Sequence, residues 1–190
     1  MATLLSKEDL LQLPTNNLLQ LFSTLNAPGI QEMQGEYKAE LLQQPHFLAR
    51  VTGWVTVANP LRTWQCKAFR PVDDRTGRGY NTFLQGGRIV QSYPMLTLMA
   101  PSRFDGRPAY QLVYRHFESL CGDINMVDEV RRVAPGLYLG IGTWGFTHAQ
   151  RQTPLPFVLE GPVAGYRGDI GHTRKNFVIG SREIPALYRA

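Results

Sequence analysis

Between Arg88 and Trp144 the chain passes through short segments in which residues of unlike character alternate, each closed by a Gly- or Pro-containing break. A period of two belongs to a strand whose side chains point to opposite faces of a sheet. Four strands are expected here: Arg88 to Ala100, Pro108 to Phe117, Ile124 to Val133 and Gly136 to Trp144. The breaks between them, Pro101 to Gly106, Glu118 to Asp123 and Ala134-Pro135-Gly136, have the spacing of an antiparallel up-and-down meander. A long run of such strands curls and closes, and a barrel of middling size holds one small ligand.

The strand pattern begins earlier. In Gly35 to Leu42, Tyr37, Ala39 and Leu41 alternate against Glu36, Lys38 and Glu40, which gives one wet face. Trp64 to Val72 and Tyr80 to Leu84 are two further strands, joined by the charged, Gly-rich loop Asp73 to Gly79, and Gly86-Gly87 marks the next turn. Residues 46 to 58 change period. There Phe47, Leu48, Val51, Trp54, Val55 and Ala58 share one helical face, and Asn59-Pro60 ends it. That helix is expected to cap one mouth of the barrel with Trp54 and Phe47. Ahead of the strands, Ser6 before Lys7-Glu8-Asp9 is a helix N-cap signal, and Pro14 interrupts that helix. A second helix, restarting at Thr15 or Asn16, carries Leu18, Leu19, Phe22 and Leu25 on one stripe facing the core. From His148 onward Pro and Gly recur every few residues. Phe157-Val158-Leu159 and Phe177-Val178-Ile179 are expected as short edge strands within a lid or an irregular wrap.

The expected fold is therefore mainly β: a single antiparallel barrel over residues 1–190, with a helical lead (1–30), one capping helix and an irregular tail (148–190). With 43% hydrophobic and 18% charged residues, the chain can bury a core without staples. Twenty Lys and Arg against fifteen Asp and Glu give a net charge of +5, but the basic residues are scattered rather than gathered on one face. Nucleic acid is thus not an expected partner. No run of apolar residues is long enough for a membrane-spanning helix, and the first residues have neither a basic stretch nor a long apolar one, so secretion is not expected. Cys66 and Cys121 are far apart and outside any CxxC setting, which points to a reducing cytoplasm. His46, His116, His148 and His172 have no metal-ligand spacing. A lone His116 or His148 is the remaining route to a haem, and no cofactor is expected. Neither a nucleophile elbow nor a phosphate loop occurs, since Gly77-Arg78-Gly79 lacks the following Lys and Ser or Thr.

The order Phe22, Pro28, Glu32-Met33-Gln34-Gly35, Gly53-Trp54, then Met126 to Val133 and Leu137-Tyr138-Leu139-Gly140 resembles a family of lipocalin-like barrels named for a Gly-X-Trp-X-Gly strand motif. Here Tyr37 stands for the tryptophan and Ala39 for the second glycine. The resemblance implies a β-barrel with an internal cavity and an aromatic, Tyr37, at its closed end. It implies no particular activity.

On period two, Tyr110, Leu112, Tyr114 and His116 share a face, as do Met126, Asp128, Val130 and Arg132. Apolar walls with a few placed polar groups suit a ligand cavity. His116 with Asp128 is the preferred pair for acid–base work, since a carboxylate fixes the imidazole tautomer. The simpler reading has His116 solvated at the rim and Asp128 paired to Arg115 or Arg132. The aromatics Trp54, Trp64, Tyr93, Tyr114 and Tyr138, with Met126, are candidates to line the cavity, and Arg115 is a candidate to orient one polar end. The expected function is binding of a small hydrophobic or aromatic molecule. The alternative is an isomerase, cyclase or decarboxylase working in the same cavity. A homodimer is compatible with the sequence.

Overall fold

The computed structural model describes residues 5–45, 58–59 and 62–187. Among them, nine strands form one antiparallel sheet: β1 Gly35–Leu41, β2 Ala58–Asn59, β3 Arg62–Pro71, β4 Thr76–Gln85, β5 Arg88–Pro101, β6 Pro108–Val113, β7 Val127–Ala134, β8 Leu137–Thr143 and β9 Leu155–Ala164. Each of β3 to β8 pairs with the next, and β1 pairs with both β9 and β3. Eight strands thereby close into an up-and-down barrel, the architecture of lipocalins, and β2 adds two residues to the edge of β3.

The wall is closed by a segment that the sequence pattern places at an edge. Residues 157–159 lie within the ten-residue β9, which pairs with β8 on one side and β1 on the other. Its Pro156 and Pro162 sit near the two ends of the strand, where a missing N–H disturbs the ladder least. The charged loop expected over 73–79 is shorter, because Thr76 to Gly79 already belong to β4. The helix expected over 46–58, with Trp54, lies outside the described residues except for its last position, Ala58, which is strand.

The helical lead follows its signals. Ser6 caps α1 (Lys7–Gln12) in a reciprocal box with Asp9, and Pro14 stands at the N-cap of α2 (Thr15–Thr24). Both helices pack on the outer wall, where Leu10, Leu18 and Phe22 meet Leu137, Leu139, Ile141 and Val158. Covering this wall reverses the usual sense of β8: its large apolar residues face out to the helices, while Tyr138, Gly140 and Gly142 face in. Arg131 pins the same side. Its buried guanidinium forks onto Asp105 at 2.6 and 2.8 Å and donates to the Phe22 carbonyl at 2.7 Å.

The lower end of the barrel is filled. Ile30 and Met33, from the 3-10 turn Ile30–Glu32 and its exit, pack with Tyr37, Phe69, Tyr110 and Tyr138. The tail runs along the outer wall. Arg167 pairs with the buried Glu36 at 2.8 Å, Asp169 bridges Arg70 and Arg78, and Phe177 and Ile179 pack beside Ile184 on Ala100 and Val113. The strand expected over 177–179 does not form.

Candidate functional site

Lys67 stands inside the barrel with its side chain 4% exposed, an expensive position for an ammonium. The cost is offset by complete pairing. Its Nζ donates to Asp128 Oδ2 at 2.7 Å, to the Tyr114 hydroxyl at 2.5 Å and to Asn81 Oδ1 at 3.1 Å. Tyr114 donates in turn to Asp128 Oδ2 at 2.9 Å, and the Trp64 indole N–H donates to Asn81 Oδ1 at 3.0 Å. The rings of Trp64, Tyr114 and Phe157 lie 5.1 to 5.2 Å from Nζ, within cation–π range. Burial pushes the Tyr114 phenol well above its ordinary value, and the Asp128 carboxylate adds to the shift, so the hydroxyl stays a donor.

Two irregularities bring these groups together. Trp64 pairs with Phe83 and Cys66 with Thr82, so β3 holds one extra residue, Gln65. This bulge lets Trp64 and Lys67, three apart, face the same interior, which a regular strand forbids. On β4, Gly79 pairs with Met95 but Asn81 with Ser92, so a second irregularity falls at Tyr93–Pro94 of β5. Tyr93 there holds φ at +55°, a left-handed conformation that bulky residues seldom adopt. Its hydroxyl accepts from Arg62 at 2.5 Å, and its ring meets Phe83 edge-on. Glycine supplies the space: a Cβ on Gly142 would lie 2.9 Å from Asp128 Oδ1, and one on Gly140 would lie 2.1 Å from the Phe157 ring.

Of the candidates named from sequence, Trp64, Tyr114 and Asp128 join this cluster. Tyr93 and Met126 are partly buried against the same core at the upper end. Tyr37 and Tyr138 are also inside, but at the filled lower end, where Tyr138 donates to Glu32 at 2.9 Å and the two rings meet edge to face. Arg115 and His116 are not brought in. The strand carrying them ends at Val113, and a 3-10 turn, Tyr114–His116, replaces it, so alternation no longer fixes their direction. Arg115 instead donates to Asn125 at 2.6 Å. His116 packs against Phe117 and Phe177 beside the tail, where burial and then the charge of Arg78 hold its pKa below the ordinary value. The expected His116–Asp128 pair is thus replaced by Lys67–Asp128, and neither Arg115 nor Arg132 takes the carboxylate; Arg132 pairs with Glu32. Lys67 and Asn81 carry no signal in the sequence pattern. Only the bulge at Gln65 explains why Lys67 points inward, and no residue type announces it.

Beside the cluster the wall has a cleft of about 340 Å³ between β1 and β3, lined in part by Trp64, Ala39 and Cys66. Among the described residues, no group of three or more His, Cys, Asp or Glu is placed to hold a metal ion, and no helix is long and apolar enough to cross a membrane.

No family model and no curated protein matches the sequence. Among solved structures, a crystal structure of a protein from Thermomonospora curvata is similar with a TM-score of 0.48 at 15% identity, covering 78% of this chain and 87% of that chain.

Proposed function

We propose that this barrel binds a small hydrophobic or aromatic molecule at its upper end, above the Lys67–Asp128–Tyr114 cluster. The observation that carries the reading is the combination of partly exposed, inward-facing Trp64, Tyr93, Met126 and Leu41 with a fully paired charge cluster beneath them. Apolar and aromatic walls supply affinity, and a rigid polar floor sets orientation. The left-handed Tyr93 supports the same reading, since backbone strain gathers where a structure holds a side chain for a purpose.

Binding is favoured over acid–base catalysis in the same cavity. A general acid or base needs a proton or lone pair aimed at the substrate. Here all three ammonium donors of Lys67 and the hydroxyl proton of Tyr114 are engaged within the cluster.

The test is titration with N-phenyl-1-naphthylamine, a neutral dye that fluoresces in apolar surroundings. The folded protein is expected to enhance its emission with one-site saturation. Trp64→Ala, checked for fold by circular dichroism, is expected to weaken binding about three- to tenfold, the equivalent of about 0.5–1.5 kcal/mol for a lost ring contact. No enhancement, or equal affinity in a folded Trp64→Ala variant, contradicts the reading.

A further inference from the structure

Among the described residues, strand pairing around the barrel wall is interrupted at one place. β1 pairs with β3 only from Gly35↔Phe69 to Lys38↔Cys66, and β2 pairs with β3 only at Thr63 and Arg62. Trp64 and Gln65 lie between these two pairings, and on that side of β3 they have no strand partner among the described residues. The 340 Å³ cleft lies at this gap. Its lining joins outer-wall residues (Cys66, Val158 and the aliphatic stem of Lys38) to Ala39 and Trp64, which pack against the interior. The cleft therefore opens on the outer surface and reaches Ala39 and Trp64, which belong to the inner wall. Its volume is near the lower end of small-molecule sites, which span about 300–1,000 Å³.

The charges at its rim narrow what it accepts. Lys7 bridges Glu40 at 2.7 Å. Lys38 stands directly opposite Glu160 across the β1–β9 ladder, where antiparallel neighbours of opposite sign attract. Among the described residues lining the opening, two cations thus face two carboxylates, leaving no spare positive charge for an acid head group. A carboxylate entering here would have to displace Glu40 or face Glu160.

We propose that this cleft is a side entrance and binding site for a slender apolar molecule ending in an uncharged polar group, such as a hydroxyl, carbonyl or amide, whose apolar part passes through the wall onto Trp64. The proposal rests on the reading of the barrel as a binding protein and adds the route and the ligand class. The net charge of +5 alone suggests the opposite preference, for anions, but the local pairing at the opening governs a ligand that must pass it.

Cys66 is a built-in reporter. It lines the cleft, whereas Cys121 lies away from it on a different peptide; the two are similarly buried, at 9% and 8% exposure, and burial raises both thiols, that of Cys121 to about 12. Alkylation of the native chain by iodoacetamide at alkaline pH, followed by peptide mass mapping, therefore reads Cys66 separately. With 1-decanol at ten times its half-saturating concentration, Cys66 labelling is expected to slow about tenfold, as mass action requires for an occupied site. Decanoate, of equal chain length, is expected to protect at least tenfold more weakly, the roughly 1.4 kcal/mol expected of an unpaired charge at the opening. Ala39→Trp, which fills the passage, is expected to abolish protection by 1-decanol.

Unchanged Cys66 labelling in 1-decanol overturns the proposal, as does protection by decanoate equal to that by the alcohol. Naphthylamine binding with no protection of Cys66 sinks the side entrance alone and leaves the binding reading standing. Absence of dye binding removes the binding reading itself.

Discussion

Lys67→Met is expected to lower the unfolding free energy by about 3–5 kcal/mol, the range found when one member of a buried ion pair is removed. Methionine fills much of the volume of the lysine stem, so the loss is electrostatic more than steric. Asp128 is left as a buried carboxylate with Tyr114 as its remaining partner in the cluster, and Asn81 Oδ1 keeps the Trp64 indole but loses the ammonium. Asp128→Leu should fall in the same range, because it strands the ammonium instead. The double variant Lys67→Met/Asp128→Leu should recover most of the loss, since replacing a whole buried pair by apolar residues is often neutral or stabilising. Urea denaturation of the four proteins supplies the cycle, with the interaction energy read from the failure of additivity. Single variants that each cost under about 1 kcal/mol, with no coupling, would mean that the cluster is wetter and looser than its 3–4% side-chain exposure implies.

Gly140→Val should be comparably severe for a steric reason. The Cβ would sit 2.1 Å from the Phe157 ring, and the ring is buried, so it cannot swing into solvent without leaving the core. The expected cost is about 3–5 kcal/mol, close to losing the phenylalanine altogether. Phe157→Ala vacates the space, so the Gly140→Val/Phe157→Ala double variant should be more stable than the sum of the two single losses predicts. Thermal denaturation tests this: a double variant that melts no higher than additivity allows contradicts the packing described for this end of the barrel. The same substitutions bear on the site, because Phe157 is one of the three rings around the Lys67 ammonium.

The barrel was legible because its strands are regular over most of their length and its turns carry Gly and Pro. Tyr37, Ala39 and Leu41 do face inward as their alternation implies, and Tyr110, Leu112 and Tyr114 do share the core. Legibility ended where the backbone departs from period two. One extra residue at Gln65 turns Lys67 inward, and a chain read two by two from Trp64 assigns it to the opposite face. The 3-10 turn after Val113 likewise carries His116 out to the tail, although the same counting puts it beside Tyr114. Asp128 could be found from the sequence because β7 is regular there; its partner could not, since that partner depends on a bulge in a strand 61 residues away. The closing strand was half visible: its apolar centre was recognised, but its flanking prolines made it resemble an edge, whereas pairing on both sides is fixed by the curvature of the whole sheet.

The proposed function requires a small apolar molecule in the upper barrel, beside Trp64 and above Lys67. Native mass spectrometry of the chain purified without detergent from its own host tests it most directly. A fraction of the protein is expected to carry one added small-molecule mass that is released into organic solvent and reduced by Trp64→Ala, and the emptied protein is expected to take up 1-decanol in its place. A bare polypeptide mass that stays bare after incubation with an organic extract of the host would contradict it.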